Sequence, residues 1–140
     1  MSNDAAQYAI LEQPPTPETF VALREAAEMA PRSLEAVKDG LPNSVYAVTA
    51  VSERTDETVG MGRIVGDEAT VYHICDMAVH PEHQGRGLGS RIMDALWTHI
   101  EETAPEGAYV NLMADVDGFY ERFGFEETRP ASKGMYRRAE

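Results

Sequence analysis

The residues with the clearest chemical potential lie in one glycine-rich turn, Gln84-Gly85-Arg86-Gly87-Leu88-Gly89. The turn directly precedes a segment with helical apolar spacing, so it would form the N-terminus of a helix. Backbone N–H groups are free at such a terminus, and the helix dipole favours negative charge there. Glycines allow close approach of a ligand, and Arg86 and Arg91 could add charge-assisted hydrogen bonds. The turn favours a diphosphate ligand; a tight strand-to-helix turn that binds nothing is the alternative.

Two better-known phosphate-binding loops do not match this turn. A Walker A loop needs Gly-Lys followed by Ser or Thr, and no lysine follows these glycines. A dinucleotide-binding loop ends in Gly or Ala, whereas this chain has Ser90 at that place. The sequence therefore indicates a different kind of anion-binding turn.

Strand and helix patterns on either side of the turn would hold it in place. An amphipathic helix is predicted over 87–102, between β-rich segments at 69–79 and 108–113. A strand, a helix and a second strand in this order form a crossover with two parallel strands. Ligands bind open sheets where the direction of the connections changes. The glycine-rich turn would lie at that place.

The rest of the chain predicts antiparallel strands and short helices. Thr16 and Ser33 are expected helix N-caps, with helix ends near Pro31, at Gly40 and at Gly124. Helices are predicted at 17–31, 34–40, 87–102 and 116–123, and strands at 8–12, 45–51, 58–65, 69–79, 108–113, 125–128 and 134–138. We expect one α/β domain over 1–140, α+β by some schemes, with about four helices. Its sheet would be mixed and largely antiparallel, of about six to seven strands around a central parallel βαβ pair.

Two sequence motifs carry a family resemblance. The pattern Gln84-x-x-Gly87-x-Gly89, preceded by Asp76-Met77-Ala78-Val79-His80-Pro81, resembles the acetyl-coenzyme A motif of the GCN5-related N-acetyltransferases (GNATs). The run Gly118-Phe119-Tyr120-Glu121-Arg122-Phe123-Gly124-Phe125 resembles the second signature of that family. The resemblance covers about 59–138 well and the N-terminal third in outline. It implies the GNAT acyl-CoA N-acyltransferase fold and acetyl transfer from acetyl-CoA to an amine.

The resemblance also implies a set of coenzyme contacts. Backbone groups of Met77 and Val79 would bond the pantetheine arm, which would lie along the strand like an additional strand. The N–H groups of 84–90 would bind the pyrophosphate. Many members carry Asn seven residues before the signature tyrosine, where this chain has Met113. The predicted cofactor-binding residues are Met77, Ala78, Val79, Gln84, Gly85, Arg86, Gly87, Leu88, Gly89 and Ser90.

Acetyl transfer to an amine also needs proton transfer, because the ammonium must lose a proton and the departing thiolate must gain one. By the resemblance, Tyr120 lies near the sulfur, and a phenol can donate a proton at neutral pH. His73 stands eleven residues before Gln84, where family members with a base on this strand tend to carry it. Imidazole exchanges protons near neutrality, directly or through water. We interpret Tyr120 and His73 as catalytic; side chains that only pack are the alternative for each.

Two neighbours of His73 receive lesser roles. Strand alternation places Cys75 and Met77 on the face of His73, and Asp76 on the opposite face as a weaker candidate base. Cys75 is interpreted as a small core residue, because direct transfer needs no acyl-enzyme.

Composition and spacing exclude several classes of partner. The chain has 140 residues, with 24 acidic against 12 basic side chains and a net charge of −12. This charge would repel nucleic acid and is equally compatible with a salt-adapted source and with drift. No apolar run could span a membrane, 1–7 lacks a signal-peptide pattern, and the single Cys75 fits a reducing compartment, so a cytoplasmic protein is expected. His80 and His83 lack a third ligand nearby in sequence, so no metal site is expected.

The acceptor is the least specified part of the function. We expect a small-molecule amine that attacks acetyl-CoA directly in a ternary complex. Alternatives are a protein lysine or N-terminal amine and, in another class, a non-catalytic acyl-CoA sensor. The acceptor pocket is expected between 26–43 and the last two strands, where Arg32 would favour a carboxylate unless it is simply exposed. Its suggested lining residues are Met29, Arg32, Ser33 and Tyr136. A monomer and a homodimer both remain open.

Overall fold

The computed structural model describes residues 7–140, in which three α-helices pack against a five-stranded sheet. The strands are β1 (Tyr8–Leu11), β2 (Tyr46–Ser52), β3 (Thr58–Gly66), β4 (Val71–Val79) and β5 (Tyr109–Leu112). The helices are α1 (Pro17–Ala26), α2 (Leu34–Gly40) and α3 (Leu88–Thr103). Short 3₁₀ turns occupy Leu41–Asn43, Pro81–His83 and Tyr120–Phe123. Within the described range, no helix combines the length and the apolarity needed to cross a bilayer.

The sheet has the strand order β1-β2-β3-β4-β5. The first four strands are antiparallel neighbours, and β5 runs parallel to β4. Helix α3 connects this parallel pair. The predicted mixed sheet with one parallel βαβ pair is therefore confirmed.

Two apolar clusters hold the layers together. In α3, all five buried side chains point to the first cluster, with residues of β2, β3 and β4; these are Leu88, Ile92, Met93, Leu96 and Ile100. The second cluster joins α1 and α2 to β3 and β4 and comprises Phe20, Leu23, Val37, Leu41, Met61 and Ala78. Apolar burial contributes roughly 25 cal/mol per Å², so each helix is fixed by its apolar face. The central strands β3 and β4 thus lie between the two helical layers.

The predicted helix caps form, although α1 is shorter than expected. The hydroxyl of Thr16 accepts from the Thr19 N–H at 3.2 Å, and that of Ser33 accepts from the Ala36 N–H at 3.1 Å. Helix α1 ends at Ala26 rather than near Pro31 because Glu28 adopts a left-handed conformation, with φ of 60°. Such a residue turns the chain out of the helix and satisfies its last carbonyls.

The C-terminal segments differ from the prediction. The expected strands at 125–128 and 134–138 are absent, so the described sheet has five strands rather than six or seven. Of 125–128, Phe125 packs against the first apolar cluster, whereas residues 131–140 are all exposed and Tyr136 is 82% exposed, so the last segment packs no face against the sheet. The expected helix at 116–123 is reduced to the turn Tyr120–Phe123, because Gly118 has φ of 85° and interrupts helical geometry before it. Gly124, with φ of 90°, closes that turn as predicted.

Candidate active site

Strand β4 contains a bulge at Asp76 and Met77. Met61 of β3 pairs with Ala78, and Arg63 pairs with Cys75, so two residues of β4 oppose one residue of β3. Asp76 has φ of 56°, in the left-handed region that aspartate enters more readily than most residues. The extra residue shifts the side-chain alternation of the strand by one position.

Because of the bulge, Asp76 and Met77 lie on the opposite faces of β4 from those predicted. Asp76 contacts Arg24 of α1 and therefore lies on the α1 side, together with Cys75. Met77 packs instead beside Ile92 of α3. The expectation that Met77 shares the face of Cys75 and that Asp76 opposes it was wrong, because simple alternation does not hold across a bulge.

The residue opposite the bulge must be glycine. A Cβ on Gly62 would lie 2.7 Å from both the Met77 sulfur and an Ile92 methyl carbon. Any side chain there would push β3 away from α3. Gly62 is thus a sequence requirement of the bulge.

Beyond Ile74, β4 loses its parallel neighbour. β5 pairs with β4 only from Val71 to Ile74 and ends at Leu112, whereas β4 continues to Val79. Within the described residues, the β5-side edge of the last part of β4 has no strand partner. An extended chain of amide groups can add to such an edge by main-chain hydrogen bonds. Met77, Ala78 and Val79 of the predicted coenzyme site lie on this edge.

The glycine-rich turn follows this open edge and leads into α3. Gly85 and Gly87 both have φ of 79°, and a Cβ at either position would meet no atom within 4 Å. The first backbone bond of the helix runs from the Arg91 N–H to the Gly87 carbonyl at 3.1 Å. The N–H groups of Leu88, Gly89 and Ser90 precede that bond, so helix geometry leaves them available to an anion. The turn thus fits a diphosphate.

Gln84 connects the turn to the end of β4. Its side-chain amide donates to the Val79 carbonyl at 3.0 Å, and its backbone N–H donates to the Pro81 carbonyl at 3.4 Å. The predicted contributor Gln84 therefore shapes the turn through protein contacts. The N–H groups at the start of α3 remain the main donors.

Strand β1 anchors the same turn through Tyr8. The Tyr8 hydroxyl accepts from Arg86 at 2.6 Å and contacts His83 Nδ1 at 2.7 Å, and its carbonyl accepts from Arg91 at 3.1 Å. The ring of Tyr8 is buried. Arg86 and Arg91, expected from the sequence to contact an anion, each also bind the first strand.

Tyr8→Phe is expected to destabilise the fold by about 1–2 kcal/mol, because two polar side chains lose a hydrogen-bond partner. Thermal unfolding followed by circular dichroism would show a melting temperature several degrees lower. Tyr109→Phe is the matched control, since Tyr109 is 53% exposed. Equal melting temperatures for the two variants would contradict the anchoring role.

Tyr120 has a buried ring and an available hydroxyl. Its ring meets Phe119 edge to face at 5.0 Å between centroids, and Phe119 lies beside Gly89 at the start of α3. Among residues 7–140, the Tyr120 hydroxyl makes no hydrogen bond. In the same range, the only fully buried side-chain polar atom without a hydrogen-bond partner is the hydroxyl oxygen of Thr49. Burial, and secondarily the charge of Asp115, raise the pKa of Tyr120. The hydroxyl therefore stays protonated and can donate to a group outside the protein.

His73 lies where β4 and β5 are still paired, directly opposite Asn111. Its Nδ1 is 2.6 Å from Asn111 Oδ1. With the amide oxygen as the acceptor, Nδ1 carries the ring proton and Nε2 is the basic nitrogen. Asn111 was missed by the sequence analysis. The register of the parallel pair, which local patterns do not give, is the signal that identifies it.

Asp76 is held by two arginines. Arg24 Nη1 donates to one carboxylate oxygen at 2.6 Å, and Arg63 Nε donates to the other at 2.7 Å. Both oxygens are thus engaged, which removes Asp76 as a candidate base. Burial, followed by the charge of Asp76, raises the pKa of the Cys75 thiol to about 12. Cys75 therefore stays a neutral thiol at physiological pH, as its interpretation as a packing residue requires.

The histidines of the turn have protein partners. His80 Nδ1 accepts from the Glu82 N–H at 3.1 Å, and His83 contacts Tyr8. In the described part of the chain, no three His, Cys, Asp or Glu side chains are grouped as metal ligands.

A cavity of about 70 Å³ lies between α1, α2 and β3. Arg32 lines it as suggested, whereas Ser33 caps α2, and Met29 packs against the second apolar cluster. The suggested Tyr136 lies in the exposed C-terminal segment and does not line it. Arg63, not singled out from the sequence, lines it instead. The remaining lining residues are Phe20, Ala36, Val37, Gly40 and Leu41.

Comparisons with known proteins agree with this geometry. A family profile described as an acetyltransferase (GNAT) domain matches residues 44–127. An uncharacterized N-acetyltransferase, ycf52, from Porphyra purpurea is 31% identical over 109 residues, which cover 75% of this chain and 62% of that protein. The structure of a probable acetyltransferase from meticillin-resistant Staphylococcus aureus is 40% identical, with a TM-score of 0.89, over 94% of this chain and 99% of that one. A Mycobacterium tuberculosis protein solved in complex with CoA shares the fold, with a TM-score of 0.69 at 19% identity, over 85% of this chain and 72% of that one.

The family match covers more than half of the chain. The chain therefore belongs to the GCN5-related N-acetyltransferase family, and the resemblance carried by its two motifs is confirmed. It spans 62% of the length of the Porphyra relative.

Proposed function

We propose that this protein transfers the acetyl group of acetyl-CoA to a primary amine of a small molecule by direct attack within a ternary complex. One observation carries the proposal: the unpaired edge of β4 leads directly into a turn of free N–H groups at the start of α3. An extended diamide and a diphosphate in succession fit that surface. Relatives named as acetyltransferases support the same reaction.

The coenzyme contacts follow from that surface. Main-chain groups of Met77, Ala78 and Val79 would bind the pantetheine amides, and N–H groups of 85–90 would bind the pyrophosphate. Bound acetyl-CoA supplies the acetyl thioester. Met113, which stands where many family members have Asn, is 62% exposed and has no side-chain amide with which to hold the pantetheine arm. The complex of the Mycobacterium tuberculosis protein with CoA supports a coenzyme site on this fold.

Two side chains would move the protons of the reaction. An alkylammonium loses two protons on becoming an amide. His73 Nε2 accepts one, directly or through water, and passes it to solvent. Tyr120 donates its proton to the departing sulfur and regains the second proton of the amine. The net products are the amide, the free thiol of the coenzyme and one proton.

An amine panel with acetyl-CoA tests the proposal through release of free thiol and through the mass of the acetylated product. Acetylation of small amines is the expected result, with the acceptor in the cavity between α1, α2 and β3. Turnover of peptides alone would instead indicate a protein acetyltransferase. Tight binding of acetyl-CoA without turnover of either substrate class would indicate a sensor.

Gly87→Val is expected to weaken acetyl-CoA binding by at least ~2 kcal/mol, because a side chain would occupy the space through which the phosphates approach. Calorimetric titration of the folded variant measures this loss. Gly107→Val is a matched control: Gly107 has φ of 86° and an equally open Cβ position, but it precedes β5 at the far end of α3. Both variants introduce similar backbone strain. Equal coenzyme affinity in the two would exclude the turn as the phosphate site.

A further inference from the structure

We propose that the acceptor amine carries an anionic group, a carboxylate or a phosphate, which binds to Arg63 and Arg32 in the cavity between α1, α2 and β3. The inference rests on the proposed function and identifies the substrate class of the same site. Charge is unbalanced around Asp76, where two arginines bind one carboxylate.

Each nitrogen of the Arg24 guanidinium makes a hydrogen bond within the protein. Its Nη1 binds Asp76, while Nε and Nη2 both donate to the Ala30 carbonyl, at 3.0 and 2.7 Å. Burial lowers the pKa of Arg24, and the charge of Asp76 opposes that effect. Arg24 and Arg63 thus share the single negative charge of Asp76. The three side chains together therefore carry one net positive charge, and Arg63 is the more exposed of the two arginines.

Arg63 retains donor capacity toward the cavity. Its Nε binds Asp76 at 2.7 Å and its Nη1 binds the Ser44 hydroxyl at 3.1 Å, whereas Nη2 makes no hydrogen bond within residues 7–140. The side chain is 21% exposed, and its guanidinium lies 5.7 Å from the centre of the Phe20 ring. Fixed by these contacts, Arg63 presents a preorganised donor to a ligand.

Arg32 adds a second positive charge to the same cavity. It is exposed, and in the described structure its only hydrogen bonds are long ones to the Ala30 and Pro31 carbonyls, at 3.5 and 3.3 Å. Its charge is close enough to affect that of Arg24. Arg24 and Arg63 therefore share one carboxylate, and Arg32 adds a further positive charge at the cavity, in a chain with a net charge of −12. Such grouped positive charge attracts an anion.

The apolar lining and the distance to His73 limit the rest of the acceptor. The cavity is otherwise walled by Phe20, Val37 and Leu41. Arg63 pairs across the sheet with Cys75, which is two residues from His73 on the same strand face. The Cα atoms of two such residues are about 7 Å apart along the strand, so the backbone positions that carry the base and the arginine are near neighbours. An amine and an anion joined by a short aliphatic chain suit that arrangement.

Pairs of acceptors that differ only in the anion test the inference on the full chain. The pairs are aminoalkyl carboxylates with the corresponding amides, and aminoalkyl phosphates with the corresponding alcohols. The charged member of at least one pair should bind the CoA-loaded protein about tenfold to hundredfold more tightly by calorimetry, with a similar ratio in kcat/KM. The preferred pair distinguishes a carboxylate from a phosphate.

Arg63→Gln and Arg32→Gln should each reduce that preference, by weakening binding of the charged member while leaving the neutral one unchanged. Because Arg32 is exposed, Arg32→Gln should fold normally, so the test can still be made if Arg63→Gln does not fold. Arg54→Gln, at the opposite end of β2, should keep the full preference. Equal binding of charged and neutral members, or equal losses for both in Arg63→Gln, would overturn the inference. Thiol release from neutral amines would then still support the proposed function, whereas anion-selective binding without any thiol release would count against that function alone.

Discussion

Tyr120→Phe is expected to lower kcat by about 10²–10⁴-fold, the usual contribution of a general acid. The ring is 8% exposed and fills a place in the first apolar cluster, so phenylalanine should preserve the packing. The hydroxyl, which has no protein partner among the described residues, should be the only group lost. Affinity for acetyl-CoA should therefore change little, so that the effect appears in kcat.

The pH dependence distinguishes a proton donor from a packing group. Burial and Asp115 raise the pKa of Tyr120 above its ordinary value of 10.0. A raised pKa keeps the phenol protonated at neutral and moderately alkaline pH, so ionisation of Tyr120 should cause no loss of activity below about pH 10. Tyr109→Phe, which removes an exposed hydroxyl, should remain fully active. A Tyr120→Phe enzyme as active as the wild type on a genuine acceptor would exclude the role.

The parts of the fold with local signals were predictable from the sequence. The caps at Thr16 and Ser33 depend on residues within three positions, and the parallel pair follows from one strand-helix-strand unit. The C-terminal strands were not predictable in this way, because a β-rich segment forms a strand only where it can bury a face. Residues 125–128 and 134–138 remain largely exposed and unpaired.

The active-site details that the sequence missed all depend on long-range contacts. Asp76 meets Arg24 across 52 positions, and His73 meets Asn111 across 38. The bulge that turns Asp76 toward α1 requires the missing Cβ of Gly62 on the neighbouring strand. No local pattern encodes such a register. Motif spacing located the coenzyme turn, because that turn is one continuous segment, but it assigned Asp76 and Met77 to the wrong faces.

His73→Ala is expected to lower kcat/KM at neutral pH by about 10²–10⁴-fold, as loss of a general base does. Coenzyme affinity should be retained, since His73 lies before the open edge of β4. In the wild type, kcat/KM should rise with pH as the base loses its proton, and the variant should lack that rise. The alkaline rise from the amine itself, near pH ~10, should persist in both.

Variants of Asn111 distinguish a His73 side chain that is oriented as a base from one that only packs. Its amide oxygen holds the Nδ1 proton of His73 and leaves Nε2 free to accept a proton. Asn111→Asp should move the acidic limb to higher pH, because a carboxylate beside imidazole favours the protonated ring. Asn111→Leu should lower kcat/KM less than His73→Ala, because the base remains but its orientation is lost.

The decisive measurement compares kcat/KM between about pH 5.5 and 9, around the unperturbed titration of imidazole, for the wild type and these variants on one amine. His99→Ala is the control, because His99 stacks on Tyr46 at 4.1 Å between ring centres, on α3 and away from β5. It should keep both the height and the shape of the wild-type profile. If the His73→Ala profile also coincides with the wild type, His73 is a packing residue and ordered water removes the proton. If instead the limb disappears in His73→Ala and shifts in Asn111→Asp, proton acceptance by the His73 ring explains both results, because the Asn111 amide of the wild type has no proton to exchange in this range.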